Sequence, residues 1–157
     1  PQVEGTVSRE MAKGVHTQTG LSASTGEYVM QIPPDVIARF RGKDALLARG
    51  QERYNIYCAP CHSMTGNGKG MVSRRANALG ATGLVAPSFH DDRLRHIPDG
   101  QLYATIRNGL RNMPSYAHSI PVHDRWAIVG YVRALQLSQL AEKTELSQLQ
   151  QETEQSK

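Results

Sequence analysis

The stretch Cys58-Ala59-Pro60-Cys61-His62 decides how the rest of the chain is read. Two thiols three positions apart share one side of a helical turn, and an imidazole follows at once. This C-x-x-C-H spacing is the attachment signature of a c-type haem. Each thiol can add to one vinyl group on a porphyrin edge, giving two thioether bonds. The next side chain then lies under the iron, where an imidazole is a strong proximal ligand. The chain has 2 cysteines, both in this stretch.

Two other chemistries use a C-x-x-C pair. A zinc site needs two further ligands, and only His118 and His123 stand at partner spacing, far from the cysteines in sequence. A redox dithiol belongs after a β-strand in an α/β chain, and no strand pattern is evident. Covalent haem is the reading that the motif and its surroundings favour together.

At 157 residues the chain is of single-domain size. Hydrophobic residues make up 39%, with aromatics at only 6% and mean hydropathy −0.47. That is a lean apolar inventory, and a buried porphyrin would add a large apolar plate to it. No run of about 18 apolar residues is present, so no membrane-spanning helix is expected. The start Pro1-Gln2-Val3-Glu4 lacks a basic, apolar leader. Covalent haem is attached outside the cytoplasm, so a removed signal and mature numbering are expected. The net charge is +4. Residues 142–157 carry four glutamates against two lysines, leaving the body more basic than the whole. A basic body can steer towards an acidic redox partner. Nucleic acid is a poor fit, because the basic residues are scattered and lack interleaved aromatics.

Residues 1–41 show no sustained period, are rich in Gly, Ser and Thr from Gly14 to Gly26, and contain Pro33-Pro34. They read as an extended arm, loose or laid along something else. From Asp44 the pattern turns helical: Leu47, Gly50, Tyr54 and Tyr57 mark one face running into Cys58. Gly66, Gly68 and Gly70 then alternate, which predicts a loop whose backbone passes close to a flat cofactor. A P-loop is excluded, since no Ser or Thr follows Gly68-Lys69. A second helix is predicted from Pro98 to Arg107, closed by Gly109, and a third from near Pro121 with a broad apolar face through Trp126, Ile128, Val129, Val132 and Leu135. After Leu137 the chain is polar. Leu137, Leu140, Leu146 and Leu149 fit either a weak helical stripe or a solvated tail.

An electron-transfer haem needs a sixth ligand. Met113, between Gly109 and Pro114, sits in a loop after a helix end that can hold a thioether rigidly. Met71 in the glycine loop is the competing methionine. Met64 is too near His62 to reach the opposite haem face, and His118 would give bis-histidine ligation. Arg74, Arg75, Arg107 and Arg111 are candidate propionate partners, as are Tyr116 and Trp126.

Gly50-x₃-Tyr54-x₃-Cys58-x₂-Cys61-His62, the glycine loop, Pro87, Gly109-x₃-Met113-Pro114 and a last helix with Trp126 and Tyr131 resemble class I cytochrome c over residues 44–137. The resemblance implies an all-α fold around one covalent haem c, with its first and last helices crossing. Gly50 and Gly130 would permit close approach, with Tyr54 and Tyr131 packed beside it. Pro87 matches the family proline whose carbonyl accepts the Nδ1–H of the proximal histidine. The expected division is an arm over 1–41, a cytochrome c domain over 42–137 and a polar tail over 138–157.

A narrower resemblance is carried by Val3-Glu4-Gly5-Thr6-Val7, Arg49 to Cys58, Pro87-Ser88-Phe89-His90 and Asp124 to Val129. These stretches are similar to the monohaem cytochrome c subunit of bacterial alternative complex III. That family implies a peripheral position on the periplasmic side of the inner membrane, in a quinol-oxidising respiratory complex. Its donor would be a multihaem cytochrome subunit, and its acceptor a terminal oxidase or soluble carrier. Members can carry a lipid anchor on an N-terminal cysteine, which is not found among these residues. The expectation is therefore an electron-transfer protein, not itself an enzyme, with Cys58 and Cys61 as haem thioethers and His62 and Met113 as axial ligands. The rivals are a free periplasmic cytochrome c and a haem enzyme or gas sensor with an open sixth position.

Overall fold

The computed structural model describes residues 14–81 and 83–155, with side chains described through residue 141. Among the described residues the regular structure is helical, with two isolated β-bridges and no strands. In chain order the helices are α1 (Val15–Thr19), α2 (Pro34–Arg39), α3 (Lys43–Tyr57), α4 (Ala59–His62), α5 (Met71–Ala78), α6 (Asp92–Arg95), α7 (Asp99–Asn108) and α8 (Val122–Gln155). The all-α expectation holds.

The frame is α3 packed on α8, with α7 alongside. Small residues let the first two touch. A Cβ placed on Gly50 would come within 2.1 Å of the Ala127 carbonyl oxygen, and one on Gly130 within 2.6 Å of Leu46 Cδ2. The rings of Tyr54 and Tyr131 pack beside this crossing, centroids 5.2 Å apart. Arg49 clasps both carboxylate oxygens of Asp124, Nε to Oδ1 at 2.9 Å and Nη2 to Oδ2 at 2.8 Å, so the start of α8 is tied to the middle of α3 by a bidentate pair. Asp44 lies in the first turn of α3, where it complements the helix dipole without making a side-chain cap.

The N-terminal region differs from its expected extended form. Residues 14–40 contain α1, α2 and an antiparallel bridge between Leu21 and Tyr28, and they are part of the core. Thr17 and Val36 are fully buried. Tyr103 donates from its hydroxyl to the Gln18 carbonyl at 3.0 Å, and the Gly100 N–H donates to the Val29 carbonyl at 2.9 Å. This coat explains an otherwise odd property of α8: residues 124–130 are buried without a break. A helix hidden all round needs cover on every face. Here α3 and α7 supply part of that cover and residues 14–40 the rest. The absence of a sequence period in this segment follows, because it packs through isolated residues and backbone carbonyls. Residues 1–13, including the quoted Val3 to Val7, lie outside the described residues.

α7 lies one residue on from its predicted Pro98–Arg107 range, flanked by Pro98 and Gly109, and α8 starts just after Pro121 as expected. The backbone has no break near residue 138: α8 continues through Gln155. Leu137 and Leu140 are exposed on this extension, and the side chains of Leu146 and Leu149 lie outside the described residues.

Candidate haem site

The Cys58–His62 stretch forms one turn at the foot of α3. Cys58 caps both helices: its N–H donates to the Tyr54 carbonyl, and its carbonyl accepts from Cys61 at 3.1 Å and from His62 at 2.8 Å. Tyr54, fully buried, donates its hydroxyl to the Ser63 carbonyl at 2.7 Å and so fixes the chain just after His62. Ser63 takes a positive φ of 69° there. Both thiols are free. Burial, with the neighbouring Cys61 adding to it, pushes the Cys58 thiol up to about 12. A thiol held protonated in this way is not the activated thiolate of a redox dithiol.

The glycine loop closes over the turn from the other side. Gly68 donates to the His62 carbonyl and Gly70 to the Cys61 carbonyl, each at 3.0 Å, and the Ser73 hydroxyl also donates to Cys61 at 2.9 Å. A Cβ on Gly70 would lie 2.3 Å from the Pro60 oxygen, and one on Gly68 would lie 2.3 Å from the Ala86 oxygen. At these two glycines the close neighbours are backbone atoms, and the loop clamps the attachment turn onto the segment before Pro87.

His62 is only 8% exposed, and its Nδ1 is buried with no hydrogen-bond partner. Burial lowers its pKa, while the Pro87 carbonyl acts in the opposite direction on the imidazole. Pro87 thus lies at the imidazole as its backbone hydrogen-bond counterpart, although the contact falls short of strict hydrogen-bond geometry. One feature had no sequence signal. The Phe89 ring lies on the His62 ring, centroids 4.5 Å apart and planes 15° apart.

Met113 lies in the Gly109–Tyr116 loop that folds back on α7. Leu110 and Met113 form a bridge with reciprocal 3.0 Å hydrogen bonds, Ser115 donates to the Arg107 carbonyl, and the Tyr116 N–H donates to the Ile106 carbonyl. Met113 is half-buried against the same core as Cys58. Its competitors differ: Met71 is 70% exposed and Met64 55%. His118 is also exposed. Asn112 donates to the Gly83 carbonyl at 2.6 Å, joining the Met113 loop to the segment leading to Pro87. Leu84 and Val85 are exposed on that segment, a surface suited to an apolar ring. Tyr116 is near the attachment turn, its pKa raised by burial and then by Cys61 and Cys58.

Other expected contacts turn out differently. The Trp126 Nε1–H is taken by the Thr17 carbonyl, so Trp126 has no donor for a propionate. Among the described residues no three of His, Cys, Asp and Glu converge as a metal set, so His118 and His123 do not join Cys58 and Cys61. The residues fit a covalent haem: two free thiols on one turn, a buried imidazole beside them, and a half-buried thioether on a braced loop.

A helical domain with this attachment turn is that of a class I c-type cytochrome. Residues 45–132 match the family model described as Cytochrome C oxidase, cbb3-type, subunit III, and the chain belongs to that family. The family is one of haem-based electron transfer, with covalently bound haem c. No curated protein matches the chain. Among the described residues no helix is long and apolar enough to cross a membrane.

Proposed function

We propose that the chain carries one electron at a time on a single haem c, held by thioethers to Cys58 and Cys61, with His62 and Met113 as its axial ligands. The observation that carries this is the buried His62 on the same turn as two free thiols. The haem supplies the redox-active iron. Thioether ligation favours the ferrous state and raises the potential relative to a second imidazole. The protein's own residues do the rest. Tyr54, Gly68, Gly70 and Ser73 hold the attachment turn, Pro87 and Phe89 orient and shield His62, and Gly109 and the Leu110–Met113 bridge hold the Met113 loop. With both axial positions filled, no position is left for oxygen or substrate.

The finer setting is an extracytoplasmic subunit of a quinol-oxidising respiratory complex of the alternative complex III type. It takes electrons from a multihaem subunit and passes them to a terminal oxidase or soluble carrier. Three observations support it: the sequence resemblance at Arg49–Cys58 and Asp124–Val129, the helical extension of α8 with its exposed Leu137 and Leu140, and a matched family whose description names an oxidase subunit.

Absorption spectra of the purified protein, with its intact mass, test the haem reading. One covalent haem and a reduced spectrum unchanged by carbon monoxide at neutral pH are expected. Carbon monoxide binding would overturn the closed coordination in favour of a sensor or enzyme. Co-purification with quinol-oxidising subunits tests the setting, and a lone monomer would identify a diffusing carrier instead.

A further inference from the structure

Arg125 is an unpaired charge in the interior. The residue is 4% exposed, and its Nε and Nη1 are buried with no hydrogen-bond partner. Its guanidinium carbon lies 5.2 Å from the centroid of the Tyr103 ring. That cation–π contact gives the charge a face to rest on but takes up none of its N–H groups. The adjacent carboxylate does not serve it, because Asp124 is committed to Arg49. The next charge is another cation. Arg107, half-buried and one turn on from Tyr103 along α7, acts on both Arg125 and Tyr103. Among the described residues the Arg107 side chain bonds only to Asn108, and no ion pair includes either arginine. The sequence has no acidic residue between Asp99 and Asp124. Arg125 also stands in the first turn of α8, the positive end of the helix dipole.

A guanidinium does not relieve this by losing its proton, and a buried charge without a partner is among the costliest groups a fold can hold. We infer that Arg125 and Arg107 form an anion site at the junction of α7 and α8, and that its ligand is a phosphate-class oxoanion. The planar fork of N–H donors on an arginine matches two oxygens of such an anion. Two negative charges offset both cations. Water would supply acceptors without charge, and chloride one charge without paired acceptors. Arg107, being half-buried, gives the pair its contact with solvent. None of these residues belongs to the attachment turn, and the inference stands apart from the haem reading. Ser115 donates to the Arg107 carbonyl at 2.6 Å, so a bound oxoanion would tie α8 to the end of α7 on which the Met113 loop folds back.

The test uses the haem-loaded protein in its ferrous state. Inorganic phosphate at neutral pH is titrated against sodium chloride of equal ionic strength, with the Arg125 Nε–H resonance and the melting temperature as readouts. A saturable shift of that resonance is expected with phosphate, together with a melting temperature that rises with its concentration. Equal responses to phosphate and chloride, or no response to either, would overturn the inference. Arg125→Lys keeps a cation over Tyr103 but loses the fork, and should weaken phosphate binding by about tenfold or more. Arg107→Gln should weaken it as well, and Arg125→Met should abolish the phosphate-dependent rise. If Arg125→Met does not fold, the titrations of Arg125→Lys and Arg107→Gln decide. A phosphate response unchanged in those two variants would place the anion elsewhere and remove the site.

Discussion

The indole N–H of Trp126 donates to the carbonyl oxygen of Thr17 at 2.8 Å, across 109 positions of chain. Both residues are fully buried, so neither group has water as an alternative partner. Trp126 also stacks on Tyr103, centroids 4.4 Å apart, and the Tyr103 hydroxyl donates to the next carbonyl, that of Gln18. The two aromatic donors therefore hold successive carbonyls of α1. Trp126→Phe leaves the Thr17 oxygen buried and unpaired, which costs about 1–3 kcal/mol, with lost contact area added. Denaturant unfolding monitored by circular dichroism should show a lower midpoint. An unchanged midpoint would mean that α1 is peripheral to stability.

Gly50→Ala tests the helix crossing. Alanine is the better helix former by about 1 kcal/mol, so an open site would gain stability. The Cβ meets the Ala127 carbonyl at 2.1 Å, and a backbone oxygen cannot rotate away. Separation of α3 from α8 dominates, with a net loss of about 1–3 kcal/mol. A raised melting temperature would show that the helices do not meet at Gly50.

Arg133→Met should be more costly than its half-exposed position suggests. Asp99, nearly buried, then loses the Nε partner now at 2.7 Å, and breaking such a pair by removing one side costs about 3 kcal/mol or more. The double variant Asp99→Asn with Arg133→Met should recover part of the loss in equilibrium unfolding. Simple additivity of the two single variants would indicate that the pair is not coupled.

His123, in the first turn of α8, is held below its ordinary value by burial and then by the Arg39 cation, with Asp35 and Asp124 pulling weakly the other way. A histidine depressed in the fold binds its proton more readily when unfolded. Its contribution is therefore complete above about 6.5, the unfolded value, and is lost as pH falls through the lower folded value. Stability measured between pH 7 and pH 5 should fall, and His123→Asn should flatten that part of the profile. Identical slopes for the two proteins would remove His123 as the source.

Met113 and Met71 are separated by paired variants. Met113→Leu should lose the weak charge-transfer band of a methionine bound to ferric iron and should bind carbon monoxide when reduced. Met71→Leu, changing a side chain that is 70% exposed, should leave the spectrum untouched. The reverse pattern would move the sixth ligand to the glycine loop.

What could be read from the residues was whatever is local. Cys58 to His62 declares its chemistry within five positions, and α7 is bracketed by Pro98 and Gly109, each a signal in itself. The close approach at Gly50 and Gly130 came through family resemblance, and it is met at Gly50 by the Ala127 backbone and at Gly130 by the Leu46 side chain. What could not be read depends on distant partners. Thr17 carries no mark of burial, since its partner Trp126 donates to a carbonyl that every residue type possesses. Gly68 and Gly70 announced a close approach but not to what, and the neighbours are Ala86 and Pro60. Phe89 was visible beside Pro87, yet its role arises only when it is laid over a ring 27 positions earlier.

The carboxylate of Asp99 is shared. One oxygen accepts from Arg133 on α8, and the other accepts from the Ile32 N–H at 3.0 Å. Residues 14–40 and the last helix thus draw on the same side chain, and neither can leave without stranding it for the other. The consequence is cooperativity: the N-terminal coat and the haem-bearing body form one unfolding unit. Hydrogen exchange should find the Val29 and Ile32 amides opening with α8, not ahead of it.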